Sequence, residues 1–144
     1  MCFGHQAIAL ALGGEVRPYD GGYGAGVRAS RVLDEQMKVY FPGEEMRLLY
    51  SHHDQVMQLP QDAVLCATSD FCRNESFRIG HQVITFQGHP EFTVAYSRHL
   101  LLNHCDDVDL SVRQAALHSL DTLVPQGPEA ARFALNLLEV RSEE

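Results

Sequence analysis

The chain has 144 residues, 45% of them apolar and 21% charged, the balance of one globular domain able to bury a core. Eleven Lys and Arg against nineteen Asp and Glu leave a net charge of −8, which argues against nucleic acid or an anionic membrane as the main partner. No apolar run approaches a membrane span and no secretory signal opens the chain. Its four cysteines (Cys2, Cys66, Cys72, Cys105) lack tight CxxC spacing and read as reduced thiols in the cytoplasm.

Taken in order, the chain opens on Met1-Cys2-Phe3-Gly4-His5-Gln6, followed by an apolar helical stretch from Ala7 to Leu12 that Gly13-Gly14 ends. Glu15 to Pro18 reads as a short strand. Tyr19 to Gly26 is glycine-rich and reads as a plain loop; it has neither GxGxxG spacing nor the lysine of a phosphate-binding loop. Val27 to Leu33 can extend as a strand, Asp34 to Gly43 as a polar connection, and Met46 to Tyr50 as another strand. Met57 to Pro60 leads to a turn, and Ala63 to Thr68 is a buried strand. Ser76 to Ile79 and Gln82 to Gln87 are strands joined through Gly80-His81. Three helices are expected from there: Phe92 to Asn103, Asp109 to Leu123 and Glu129 to Val140, with Ser142-Glu143-Glu144 as a frayed tail. Strands this short imply some antiparallel pairing inside an otherwise parallel sheet.

Two stretches carry chemistry. A cysteine between a strand and a helix can sit on a sharp turn, where Gly4 leaves room and the N–H of Phe3 is free to bind an oxyanion. The helix N-terminus beside it favours a thiolate. Far downstream, the apolar run Val83 to Phe86 feeds Gln87-Gly88-His89-Pro90-Glu91-Phe92 and places His89 at a strand end, where Pro90 disfavours helix. Glu91 can fold back onto the imidazole. A cysteine, a histidine that deprotonates it and a carboxylate that orients the histidine form a thiol-based acyl-transfer triad.

Together, Cys2-Phe3-Gly4-His5-Gln6 and Gly88-His89-Pro90-Glu91 resemble the class I (triad) glutamine amidotransferase family. Tyr50-Ser51-His52-His53-Asp54-Gln55-Val56 looks like the Ser-His-x-Asp-x-Val segment of its stand-alone, GMP-synthase-like branch. The resemblance covers Met1 to Leu102 in the expected order. It implies an α/β fold: the C-terminal portion of a flavodoxin-like, mostly parallel sheet with flanking helices. Residues 1–144 then form a single partial domain, with a core over 1–102 and C-terminal helices over 103–144.

Family members carry about half a domain before the nucleophile, including the strand into the elbow and a glycine-rich oxyanion loop. Without these, impaired activity is the expectation for this chain. The implied reaction is hydrolysis of the glutamine γ-amide through Cys2, His89 and Glu91, with a γ-glutamyl compound as the alternative substrate. In the family, the matching glutamine (Gln6 here) binds the amino-acid end of the substrate, and the backbone of the Tyr50-Ser51 segment meets its α-carboxylate. A separate ammonia-accepting synthetase subunit is a candidate partner. A γ-glutamyl peptidase, or an inactive fragment serving as a binding or regulatory module, are the other readings. His5 reads as structural. No cofactor is implied, and His52, His53, His104, Cys66, Cys72 and Cys105 match no common zinc spacing.

Overall fold

A computed structural model of the chain describes residues 1–139, so the expected tail and Val140 lie outside the described residues. In chain order the elements are α1 (Phe3–Ala11), β1 (Glu15–Pro18), β2 (Gly24–Val32), α2 (Glu35–Lys38), β3 (Glu45–His52) and β4 (Asp54–Gln58). They continue with β5 (Val64–Thr68), β6 (Ser76–Ile79), β7 (Val83–Phe86), α3 (Val94–Asn103), α4 (Leu110–Thr122) and α5 (Gly127–Glu139).

Five strands form one sheet in the order β3-β2-β5-β6-β7, and β1 pairs with β4 in a separate ribbon. Every neighbouring pair is antiparallel, which corrects the mostly parallel sheet expected from the sequence. The connections explain it. A parallel pair needs a crossover of about a dozen residues or more, usually a helix. Here only Gly80–Gln82 separates β6 from β7, and the long helices come after the last strand.

The helices then cover both faces of the sheet. On one face Met46, Leu48 and Tyr50 pack with Phe41, Phe86 and the α5 residues Ala130, Phe133 and Leu137. On the other, Val27 and Leu49 meet Leu101 of α3 and Ala116 and Leu120 of α4. A smaller cluster of Ala9, Val56 and Phe77 seats α1. Each large buried side chain contributes roughly 1.5–3 kcal/mol, enough to hold α5, whose polar residues would not hold it in isolation.

Two stretches read as loop are structured. Gly24 and Gly26 belong to β2, where an added Cβ would lie 2.5 Å from His52 Nε2 and 2.8 Å from Ala116 Cα respectively. These glycines let a buried histidine and a helix approach the strand, a packing need that looks like turn chemistry in one dimension. Within the connection 34–43, Asp34 accepts hydrogen bonds from the N–H groups of Gln36 and Met37, both at 3.0 Å, and caps α2. That turn drops Met37 and Phe41 fully into the core. Among the described residues no helix is long and apolar enough to cross a membrane.

Candidate active site

Cys2 occupies the position just before α1 with φ 45° and ψ −104°, a left-handed backbone that non-glycine residues rarely adopt. Such a residue costs on the order of 1–3 kcal/mol and persists only where its surroundings over-determine it. Three bonds do so: Cys2 N–H donates to the Phe86 carbonyl (2.8 Å), Gly4 N–H to Met1 (2.9 Å) and Gln6 N–H to the Cys2 carbonyl (3.1 Å). The elbow is therefore anchored to the end of β7. Gly4 is not demanded by crowding, since an added Cβ there would meet nothing within 4 Å.

The half-buried Cys2 thiol donates to the Ser51 carbonyl at 3.8 Å. Burial raises its pKa above the ordinary thiol value; the Phe3 N–H opposes that shift, and the negative charge of Glu91 adds to it. At neutral pH the resting sulfur is a thiol that needs a base. The Phe3 side chain itself is exposed.

His89 hangs from the same strand as Ser51. Its N–H donates to the Leu49 carbonyl at 2.8 Å, so β3 meets the histidine at Leu49 and the cysteine two residues on. Residues two apart on a strand lie about 7 Å apart on the same face. The imidazole stacks flat on Phe92, with ring centroids 3.8 Å apart and planes 8° from parallel, and Phe92 in turn meets Tyr96 edge-on. Nδ1 lies 2.7 Å from Glu91 Oε1. A neutral ring that donates from Nδ1 keeps Nε2 as an acceptor, the tautomer a base requires.

The other residues singled out from the sequence fall as follows. The Gln6 amide donates to the Asp54 carbonyl (2.8 Å) and to Gln87 Oε1 (3.2 Å), tying α1 to β4 and to the turn before His89. Tyr50 is buried, and Ser51 beside it is half-buried. Ser51 Oγ pairs with Tyr23 Oη at 2.7 Å. His5 is fully buried, with Nδ1 2.7 Å from Thr85 Oγ1. His52 is buried against Phe71 and pairs with the Asp54 carbonyl at 3.0 Å. Among the described residues no group of three His, Cys, Asp or Glu could hold a metal ion. A cleft of about 680 Å³ lies away from Cys2, walled by Arg31, Asp70 and Arg73 on the β2 and β5 side.

Three contributors escaped the sequence reading. Tyr23 sat in the supposed loop. Gly127 opens α5 against the backbone of Pro90, where any Cβ would strike the Pro90 carbonyl, so a C-terminal helix buttresses the His89 turn. Glu75 is fully buried beneath that turn. Its Oε1 accepts the Gly88 N–H at 3.3 Å, and its backbone carbonyl accepts the Gln87 N–H at 2.7 Å. A charged residue just before a strand, as in Arg73-Asn74-Glu75-Ser76, gives no one-dimensional sign of being buried.

Residues 1–107 match the description "Glutamine amidotransferase class-I". The chain belongs to that family. It is 33% identical over 114 residues to γ-glutamyl peptidase 3 of Arabidopsis thaliana, covering 75% of this chain and 44% of that protein. It is 33% identical over 109 residues to one of the subunits of the glutamine-hydrolysing GMP synthase of Methanothermobacter thermautotrophicus, covering 75% of this chain and 58% of that one. A glutamine amidotransferase structure from Thermotoga maritima superposes with a TM-score of 0.74 at 20% identity, over 96% of this chain and 60% of that one, and shares the fold. The chain spans about half the length of the curated relatives it matches.

The buried titratable groups make stability depend on acid. Burial lowers His5 to about 3 and His52 to about 4, and raises Glu75 to about 8. At pH 5.5 both histidines are neutral in the fold but protonated once unfolded, so their contribution is lost as pH falls below about 6.5. Glu75 acts the other way: it is protonated in the fold and ionised once unfolded, so its contribution fades as pH rises from about 4.5 through 8. Unfolding at pH 5.5 should therefore take up about one net proton, and about two in Glu75→Gln. Chemical denaturation between pH 5 and 6 checks this; a stability that is flat or falling with pH in the variant would contradict it.

Proposed function

We propose that this protein cleaves the γ-amide of glutamine, or a γ-glutamyl amide bond, with Cys2 as nucleophile, His89 as base and Glu91 as orienter. The observation that carries the reading is the 2.7 Å contact between His89 Nδ1 and Glu91 on the turn that adjoins the strained cysteine elbow. His89 Nε2 takes the thiol proton as sulfur attacks the γ-carbonyl, and the Phe3 N–H donates to the oxyanion. Collapse breaks the C–N bond; His89 gives its proton to the departing nitrogen and leaves a γ-glutamyl thioester. Water, deprotonated by His89, attacks the thioester; glutamate leaves and the sulfur regains its proton. Gln6, through its amide oxygen, and the Tyr50-Ser51 backbone would hold the amino-acid end of the substrate.

No cofactor enters this sequence of steps. Residues 1–144 would act as one partial domain with its core over 1–102, and the four unpaired thiols suit a cytoplasmic setting. The partner receiving the ammonia would be a separate synthetase subunit; the GMP synthase relative is likewise one of the subunits of its enzyme. The peptidase relative supports a second reading, in which the leaving group is an amino acid or peptide.

Incubation with glutamine and with γ-glutamyl dipeptides, scoring ammonia and freed amino acid separately, decides between the two. Ammonia from glutamine alone supports the first reading, and faster dipeptide cleavage the second. No glutamate from either substrate would leave a binding or regulatory module as the better description.

A further inference from the structure

We propose that Glu75 is a positioning residue: a buried strut that fixes the His89 turn against the Tyr50-Ser51 segment, and so sets the distance between imidazole and thiol. This rests on the triad reading above. Glu75 is wholly enclosed immediately before β6, and three features tie it to the site. Its carboxyl oxygen and its backbone carbonyl accept the N–H groups of Gly88 and Gln87, the two residues that precede His89. Its carboxyl lies against the Tyr50 hydroxyl and the Cys72 thiol. Tyr50 precedes Ser51, the residue whose carbonyl receives the Cys2 thiol. One side chain thus touches both chain segments that must hold the sulfur and the ring in register.

The packing around it leaves little freedom. Gly88 lies directly over Leu48 and Tyr50, where an added Cβ would come within 2.8 Å of Leu48 Cβ and 3.3 Å of the Tyr50 ring. The turn thus lies in close contact with the sheet at Leu48 and Tyr50, and Glu75 fixes its backbone there through the Gly88 and Gln87 N–H groups. A buried carboxyl is costly to keep unless it does something an apolar residue could not. An apolar side chain would fill the same space, yet it would leave the Gly88 N–H without an acceptor and the turn without a fixed height.

The test compares Glu75→Gln, Glu75→Asp and Glu75→Ala, each with kcat normalised to sites titrated by a glutamine-mimicking electrophile that alkylates Cys2. Gln keeps the reach and an acceptor oxygen; Asp keeps the carboxyl but falls one methylene short. The expected result is Gln within about threefold of wild type, and Asp and Ala slower by about 10- to 100-fold in kcat with KM little changed. Displacements of about an ångström cost that much. If Ala fails to fold, the Gln and Asp pair decides. Full kcat per titrated site in Asp, or a Gln variant as slow as Asp, overturns the proposal and leaves Glu75 as a packing residue. A wild-type chain with neither turnover nor a Cys2 adduct would instead overturn the triad reading, and this proposal with it.

Discussion

Cys2→Ser should lower turnover on glutamine or γ-glutamyl substrates by about 10³-fold or more, and abolish the single glutamine-protectable adduct with an electrophilic glutamine mimic. The alcohol has a far higher pKa than the thiol it replaces and is a much weaker nucleophile. The other three thiols are poor substitutes. Cys66 and Cys72 are buried in the sheet and its adjoining loop, with burial pushing Cys66 up to about 12 and Cys72 higher still. Cys105 is buried beside α4. Labelling of the wild type should therefore map to Cys2 alone.

A companion substitution separates chemistry from fold. Cys2→Gly relieves the positive φ of the elbow and should raise stability by about 1 kcal/mol while removing all turnover. Equal stability of Cys2→Gly and Cys2→Ser would mean that the elbow is not strained. Retained turnover in Cys2→Ser would sink the nucleophile assignment.

The local order of the chain was readable where one rule acted alone. β1, closed by Pro18, and β6, ended by Gly80-His81, have the expected bounds, and Asp109 caps α4 through the Ser111 N–H at 3.0 Å, as a helix-opening acid should. The errors arise where a residue's purpose is tertiary. Gly24 and Gly26 serve the close approach of His52 and α4, which no local pattern encodes. Met37 and Phe41 reach the core from a stretch whose charged residues dominate its average. The mostly parallel expectation came from the resemblance, which supplied the whole family's architecture, whereas β2–β3, β5–β6 and β6–β7 are consecutive antiparallel pairs in this chain.

The candidate site shows the same division. Cys2 stands out by residue type and by its place just before a helix, and His89 and Glu91 by theirs just after β7. Their supports do not. Phe92 stacks the ring, Gly127 lets α5 press on Pro90, and Glu75 underlies Gly88; each is an ordinary residue whose importance comes from what lies against it. Gln6 reads in the sequence as a candidate substrate contact, yet its amide hydrogens are both engaged inside the protein, which only coordinates reveal.

His89→Ala should cost about 10³-fold in turnover, and it should also change how Cys2 reacts with pH, which is the sharper observation. With burial holding the Cys2 thiol above its ordinary pKa, the sulfur is protonated at pH 7. In the wild type, His89 can take that proton within the site, so alkylation of Cys2 by iodoacetamide should already be substantial near neutrality. In His89→Ala the rate should be low at pH 7 and rise only as the thiol itself ionises, so the two profiles converge at high pH. Glu91→Gln should fall between them, about tenfold down in turnover. Glu91 is 48% exposed at its side chain, and water can partly replace its orienting bond, whereas the Phe92 stack keeps the ring plane. Superimposable alkylation profiles for wild type and His89→Ala would show that the imidazole does not serve the sulfur. The 2.7 Å pair with Glu91 would then be a hydrogen bond of the turn, with no part in the chemistry.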